Sequence, residues 1–131
     1  MTYFFVDYEN VKDDGLDAIS RLKKEDKVAI FFSVNTPKMG IEVVGGFLSR
    51  KLDVQTIKAI TGHKDSLDHQ LASCLGMTMA KDRENDFCIV TGDTAFDDLV
   101  SFWRRRKYKI YRVGKLTDYF RIKKEENGNV K

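Results

Sequence analysis

The chain has 131 residues, the length of one domain. Hydrophobic residues make up 42% and charged residues 33%, which is typical of a globular fold and excludes an intrinsically disordered chain. The formal net charge of +3 is unevenly distributed: residues 1–102 carry 12 basic and 17 acidic side chains, whereas residues 103–131 carry 11 basic and 3 acidic ones. A basic end fits a polyanion-binding surface, and it equally fits a terminus that aids solubility.

Targeting and redox signals favour a cytoplasmic protein. The longest apolar runs, 3–6 and 28–32, are far shorter than the roughly 20 residues that span a bilayer, so no membrane segment is expected. The N-terminus lacks a basic region, and Asp7 interrupts its apolar run, which argues against a secretory signal. Cys74 and Cys88 lie outside any CxxC motif or histidine cluster. We therefore expect reduced thiols rather than a disulfide or a zinc site.

Short apolar runs alternate with amphipathic stretches along the chain. In chain order, the pattern predicts strand 2–6, helix 16–24, strand 27–32, helix 39–52, strand 54–60, helix 65–80, strand 86–91, helix 94–105, strand 109–113 and a short element at 117–122. Continuous apolar strands separated by amphipathic helices indicate an α/β fold whose parallel sheet is covered on both faces. The polar residues 123–131 are predicted to form a disordered C-terminal tail.

Acidic residues follow two of the predicted strands and begin one helix. Asp7 ends the first strand, Asp93 follows the fourth, and Asp68 lies in the first turn of helix 65–80. In an open parallel sheet, groups beyond the carboxyl ends of the strands share a crevice where the strand order reverses, so we expect Asp7 and Asp93 at one rim. Asp68 shares its helix face with the apolar Leu71, where an unpaired carboxylate is costly. Asp68 therefore needs a rim position, a hydrogen-bond partner or a cation, and if it points into the crevice of Asp7 and Asp93, three or four carboxylates converge there.

Converging carboxylates repel one another, and the repulsion raises their pKa values unless a divalent cation neutralises the cluster. All-oxygen sites suit hard ions such as Mg²⁺ or Mn²⁺, which commonly activate a water for phosphoester chemistry. A structural interpretation stays open, because Asp65 and Asp93 could cap the helices that they precede, and first-turn acids favour the helix dipole. Asp7 ends a strand and has no obvious capping role.

The segment Arg104-Arg105-Arg106-Lys107 is basic and lies among aromatic residues. Arginine pairs with phosphates and aromatic rings stack on unpaired bases. We predict that the three arginines contact a phosphate backbone. The neighbouring aromatic side chains are predicted to belong to the core: Trp103, Tyr108 and Tyr111.

Three sequence blocks, taken in order, resemble those of the PIN-like domain superfamily, close to its NYN branch. Residues 3–10, Tyr-Phe-Phe-Val-Asp-Tyr-Glu-Asn, resemble the opening hydrophobic strand with its D-x-x-N. Residues 63–68, His-Lys-Asp-Ser-Leu-Asp, resemble the K-x-x-x-D block, and residues 89–97, Ile-Val-Thr-Gly-Asp-Thr-Ala-Phe-Asp, resemble the S/T-G-D-x-D-F block. The resemblance covers about residues 2–115.

The resemblance implies a three-layer α/β/α sandwich with a five-stranded parallel sheet, which we place at residues 1–122, and metal-dependent cleavage of RNA. It implies that Asp7, Asp68 and Asp93 ligate Mg²⁺ or Mn²⁺. It also implies that Asn10 orients the first ligand or contacts the substrate.

One position departs from the family pattern. The acid often found two residues after Asp93 is Ala95 here, so either Asp97 takes over as a catalytic metal ligand or the site holds one metal rather than two. Lys64 and Thr91 complete the site prediction as substrate-binding residues, together with the three arginines.

The sequence thus predicts a Mg²⁺- or Mn²⁺-dependent endoribonuclease that hydrolyses phosphodiester bonds of single-stranded or flexible RNA. The alternative is a catalytically inactive module of the same fold that binds nucleic acid or protein, which Ala95 favours. A phosphatase with Asp7 as nucleophile is a weaker alternative, because the D-x-D motif is missing. RNA is the predicted partner, while a homodimer and a protein partner that gives specificity stay open.

Overall fold

Five parallel strands form the centre of the computed structural model, which describes residues 1–129 and, at Lys64 and Asn129, only the backbone. The strands are β1 (Thr2–Asp7), β2 (Lys27–Phe32), β3 (Asp53–Lys58), β4 (Asp86–Val90) and β5 (Lys109–Val113). The helices are α1 (Tyr8–Val11), α2 (Ile41–Ser49), α3 (Lys64–Lys81), α4 (Phe96–Arg104) and α5 (Leu116–Asn129). Two short 3₁₀ turns, Asp13–Leu16 and Ile19–Arg21, follow α1.

The strands lie in the order β3-β2-β1-β4-β5, and the side of the sheet to which new strands are added changes between β1 and β4. The chain builds outward from β1 to β2 and β3, and then crosses to the other side of β1 to add β4 and β5. Register fixes the two central strands, because Thr2 pairs with Asp86 and Val6 with Val90. Asp7 therefore lies at the carboxyl edge of the sheet, immediately beside the end of β4.

Successive side chains of each strand point to opposite faces of the sheet and pack into two separate hydrophobic cores. Phe5, Phe87 and Ile89 face helices α3 and α4, where a row of residues on α3 that includes Leu71 is almost fully buried. Phe4, Val6 and Val90 face the opposite layer, which is built from the 3₁₀ turns, α2 and α5. The protein is a three-layer α/β/α sandwich, as predicted. No helix within residues 1–129 is long and apolar enough to cross a membrane.

Two predicted elements need correction. The expected helix 16–24 is replaced by the two 3₁₀ turns, although its apolar residues Leu16, Ile19 and Leu22 are buried as expected. The expected short element and disordered tail are replaced, through Asn129, by the single helix α5. Lys123 on that helix pairs with Asp86 of β4 at 2.8 Å, which ties the predicted tail to the sheet. Residues 130–131 of the tail lie outside the described part of the chain.

Candidate carboxylate site at the strand switch point

The carboxyl ends of β1 and β4 carry the acidic residues singled out from the sequence. Asp7 is the last residue of β1, and Asp93 lies three residues after β4 ends at Val90. Helix α3 runs antiparallel to the strands, so its first turns, with Asp68, lie at the same edge of the sheet. The reversal of strand order thus places the three elements around one crevice, as the sequence predicts.

Asp7 is the buried member of the group, with 5% of its surface exposed. Its Oδ2 accepts a hydrogen bond from Thr91 Oγ1 at 2.9 Å, and its Oδ1 accepts one from the backbone N–H of Asn10 at 3.4 Å. Asp7 is thus the N-cap of the short helix α1, a capping role that the sequence did not predict. Burial raises the pKa of Asp7 to about 6, because loss of hydration outweighs the Thr91 bond, and the charges of Asp68 and Glu9 raise it further. The site therefore holds a carboxylate whose charge is poorly compensated.

Asn10 and Gly92 join the loops that follow β1 and β4. The backbone N–H of Gly92 donates to Asn10 Oδ1 at 2.7 Å. A Cβ at Gly92 would approach the same oxygen to 3.0 Å, so glycine permits this close contact. The sequence predicts that Asn10 either orients the first ligand or contacts the substrate. In the structure, its side-chain oxygen holds the loop that carries Asp93.

Asp68 connects the other acids electrostatically. Its side chain is half-buried, and no hydrogen bond to its carboxylate is found among the described residues. Partial burial raises the pKa of Asp68, and the charges of Asp93, Asp65 and Glu9 raise it further. The charge of Asp93 thus raises the pKa of Asp68, and the charge of Asp68 raises the pKa of Asp7. Asp7, Asp68 and Asp93 therefore form one electrostatic cluster.

Asp93 lies in the turn that precedes α4 and does not cap that helix, whose N-cap is Ala95, without a side-chain capping bond. Its Oδ1 accepts a hydrogen bond from the backbone N–H of Ala95 at 2.9 Å, just before α4 begins at Phe96. Its own N–H donates to Thr91 Oγ1 at 3.1 Å. A carboxylate that accepts one local bond retains further lone pairs, so this hydrogen bond and ligation of an ion by Asp93 are compatible.

Asp97 forms an ion pair with Arg112. Its Oδ1 lies 2.6 Å from Arg112 Nε, and its side chain is half-exposed. Arg112 also donates from Nη1 to the carbonyl of Thr91 at 3.0 Å. The guanidinium therefore compensates the charge of Asp97, which weakens the hypothesis that Asp97 replaces the missing acid at Ala95.

Two hydroxyl residues complete the site in ways that the sequence did not indicate. Thr91, predicted to bind substrate, is fully buried and uses its hydroxyl between Asp7 and Asp93, so it positions carboxylates instead. Ser33, which the sequence analysis missed, donates its hydroxyl to Glu9 and directly follows β2. The only available signal for Ser33 was its place after a predicted strand.

The predicted arginines lie away from the crevice. Helix α4 starts near Asp93 and ends at Arg104, and the next strand pairs Lys109 with Asp86, the first residue of β4. Arg104, Arg105 and Arg106 are therefore at the amino edge of the sheet, about 16 Å from the carboxylates at about 3.3 Å for each residue of β4. The side chain of Lys64 lies outside the described part of the structure.

The donor chemistry fits a hard divalent cation, since the cluster offers only carboxylate and other oxygen ligands, and its mutual repulsion is relieved by positive charge. The described side chains do not form a closed group of three or more acidic, histidine or cysteine ligands around one point. The arrangement is an open rim in which a cation could draw the carboxylates together.

Comparison with known proteins gives one result. A family model described as PIN domain matches residues 1–113, which include all five strands and the acidic cluster. No curated protein and no solved structure matches the chain significantly. Because the family model covers most of the sequence, the chain belongs to the PIN-domain family.

Proposed function

We propose that this protein is a Mg²⁺- or Mn²⁺-dependent ribonuclease that cleaves single-stranded or flexible RNA, and that it belongs to the NYN type. PIN domains are generally metal-dependent nucleases that bind nucleic acids. The observation that carries the proposal is the buried Asp7, whose pKa of about 6 reflects an uncompensated carboxylate beside two further acids. The D-x-x-N arrangement of Asp7 and Asn10 supports the NYN assignment.

Asp7, Asp68 and Asp93 would hold the ion. When bound, it would offset their mutual repulsion, activate a water and stabilise the charge that develops on the phosphodiester. The other residues keep the carboxylates in place, since Thr91 bridges Asp7 and Asp93, and Asn10 links the two loops. Such hydrogen bonds hold ligands in a productive orientation.

Cleavage of a labelled, unstructured RNA in Mn²⁺ tests the proposal directly. Asp7→Asn and Asp68→Asn should each lower the rate by at least about 100-fold, because each removes a ligand charge. Asp14→Asn is the matched control, since Asp14 is exposed and has no hydrogen bond among the described residues. EDTA should abolish cleavage. Activity that survives EDTA, or that is equal in all variants, would refute the proposal.

An inactive nucleic-acid-binding module is the second candidate, favoured by Ala95 and by the ion pair of Asp97 with Arg112. This function predicts RNA binding that Asp7→Asn leaves unchanged and no cleavage with any divalent ion. Calorimetry with Mn²⁺ separates the candidates without relying on activity, because only a metal-dependent nuclease requires binding that Asp7→Asn weakens.

A further inference from the structure

The turn that ends α4 carries a surface of positive charge, here called the basic surface. It consists of six residues at the amino edge of β4 and β5: Arg83, Arg104, Arg105, Arg106, Lys107 and Lys109. None of them pairs with a carboxylate among the described residues. Three acids lie near this surface: Asp82 accepts a hydrogen bond from the hydroxyl of Tyr3 at 2.5 Å, Asp86 pairs with Lys123 at 2.8 Å, and Glu84 is exposed near Lys109.

Aromatic rings hold the arginines of this surface in flat, stacked positions. The guanidinium of Arg106 lies 3.7 Å from the ring centre of Phe102, which is 46% exposed. That of Arg83 lies 4.0 Å from the ring centre of Tyr108, and its Nη2 donates to the carbonyl of Arg106 at 2.5 Å. A stacked guanidinium keeps its outer face and remaining N–H groups available for a base or a phosphate.

Helix capping explains only part of this charge. Basic side chains favour the C-terminus of a helix, and Arg106 donates to the carbonyl of Phe102 in the last turns of α4. Arg104 instead donates to the carbonyl of Ile110 in β5. Arg105 and Lys107 are exposed and have no such contact among the described residues. Lys107 also has a φ of 71°, a left-handed conformation that favours glycine or asparagine.

We propose that the basic surface is a second RNA-binding site, remote from the carboxylates, which retains the phosphate backbone of a long single strand. This inference rests on the proposed ribonuclease function for its substrate. The separation of about 16 Å corresponds to about five stacked nucleotides at 3.4 Å each, so only longer strands reach both sites. With an ion bound, a short oligonucleotide can reach the carboxylate crevice without contacting the basic surface.

RNA binding in EDTA tests the second site independently of cleavage. The test variant is the double substitution Arg105→Gln with Lys107→Asn, since asparagine tolerates the left-handed backbone. The matched control is Lys24→Gln with Lys51→Asn, because Lys51 is likewise exposed with a positive φ, of 53°, and lies before β3 at the far side of the sheet. Both doubles remove two positive charges.

Fluorescence anisotropy with an oligouridylate of about 20 nucleotides should show roughly tenfold weaker binding by the test variant, with the slope of log K against log salt lower by about 1.4. The control should stay within about twofold. An oligomer of about four nucleotides should bind both variants much more weakly than the long strand does, because it presents fewer phosphates to basic side chains. Equal loss in the two variants, no loss, or a loss confined to anionic phospholipid vesicles would overturn the proposal.

Kinetics separate this proposal from the proposed function. If the protein cleaves RNA, the test variant should raise KM for the long strand, leave kcat unchanged, and leave cleavage of the short strand unaltered. If no variant cleaves RNA but the anisotropy results hold, the ribonuclease proposal fails while the second binding site stands.

Discussion

Replacement of the buried Asp7 by asparagine should make the protein more stable at neutral pH while it removes a site residue. Burial raises the pKa of Asp7 from 3.8 to about 6, so the folded state binds its proton more tightly than the unfolded state. The stability of the wild type therefore falls as the pH rises from about 4 to above 6. A difference of about two pKa units corresponds to about 3 kcal/mol.

Asp7→Asn removes this titration and keeps an oxygen that can accept the hydrogen bond of Thr91. Urea unfolding should show the variant up to about 3 kcal/mol more stable above pH 6, with the difference disappearing below pH 4. Asp14→Asn, on the exposed surface, should stay within about 0.5 kcal/mol of wild type throughout. A variant that is less stable than wild type at pH 7, or a difference independent of pH, would refute the reasoning.

A divalent ion should remove most of this difference in stability between the wild type and Asp7→Asn. Binding to the folded state alone stabilises by about 2.7 kcal/mol when the ion is at 100 times its dissociation constant. Mn²⁺ should therefore stabilise the wild type at pH 7 and have little effect on Asp7→Asn. Equal stabilisation of both proteins would place the ion away from Asp7.

Two further substitutions test the loops around the site. Thr91→Val should cost about 1–2 kcal/mol in urea unfolding and raise the pKa of Asp7 further in carboxyl NMR titrations, because a buried hydroxyl that bonds Asp7 is lost; Thr91→Ser should behave like wild type. Lys12 has φ 54° and ψ −157°, a region that suits glycine, so Lys12→Gly should raise the unfolding free energy by about 1 kcal/mol and Lys12→Ala should not.

The sequence predicts an element best where one periodicity dominates. Leu67, Leu71 and Leu75 repeat every four residues and are almost fully buried along α3, which spans Lys64–Lys81 against a prediction of 65–80. Strand 109–113 was predicted with the observed bounds because its apolar residues are flanked by polar ones. In both cases burial and local preference agree.

The helix predicted at 16–24 was wrong for a physical reason. Leu16, Ile19 and Leu22 recur every three residues, but they do not share one helix: Leu16 ends the first 3₁₀ turn, Ile19 begins the second, and Leu22 follows it in an extended conformation. Burial of the three side chains satisfies the hydrophobic pattern in either geometry. The pattern predicts which residues enter the core, and tertiary packing decides the backbone that carries them there.

Site residues were predictable where topology alone positions them. Asp7 and Asp93 follow the ends of adjacent central strands, so an open parallel sheet brings them to one rim. The role of Thr91 depends on the direction of one hydroxyl, and the pairing of Asp97 with Arg112 joins residues 15 positions apart through their side chains. Neither contact leaves a periodic signal in the sequence.

These contacts bear on how many ions the site would hold. Ala95 offers only its backbone N–H, which Asp93 already accepts, and the charge of Asp97 is compensated by Arg112 at 2.6 Å. The carboxylate that a second ion would require is thus absent at position 95, and the charge of the carboxylate at Asp97 is neutralised. We therefore expect calorimetry to give one Mn²⁺ per chain, and Asp97→Asn to leave that number unchanged. Two ions per chain, or loss of binding in Asp97→Asn, would show that Asp97 leaves Arg112 when metal binds.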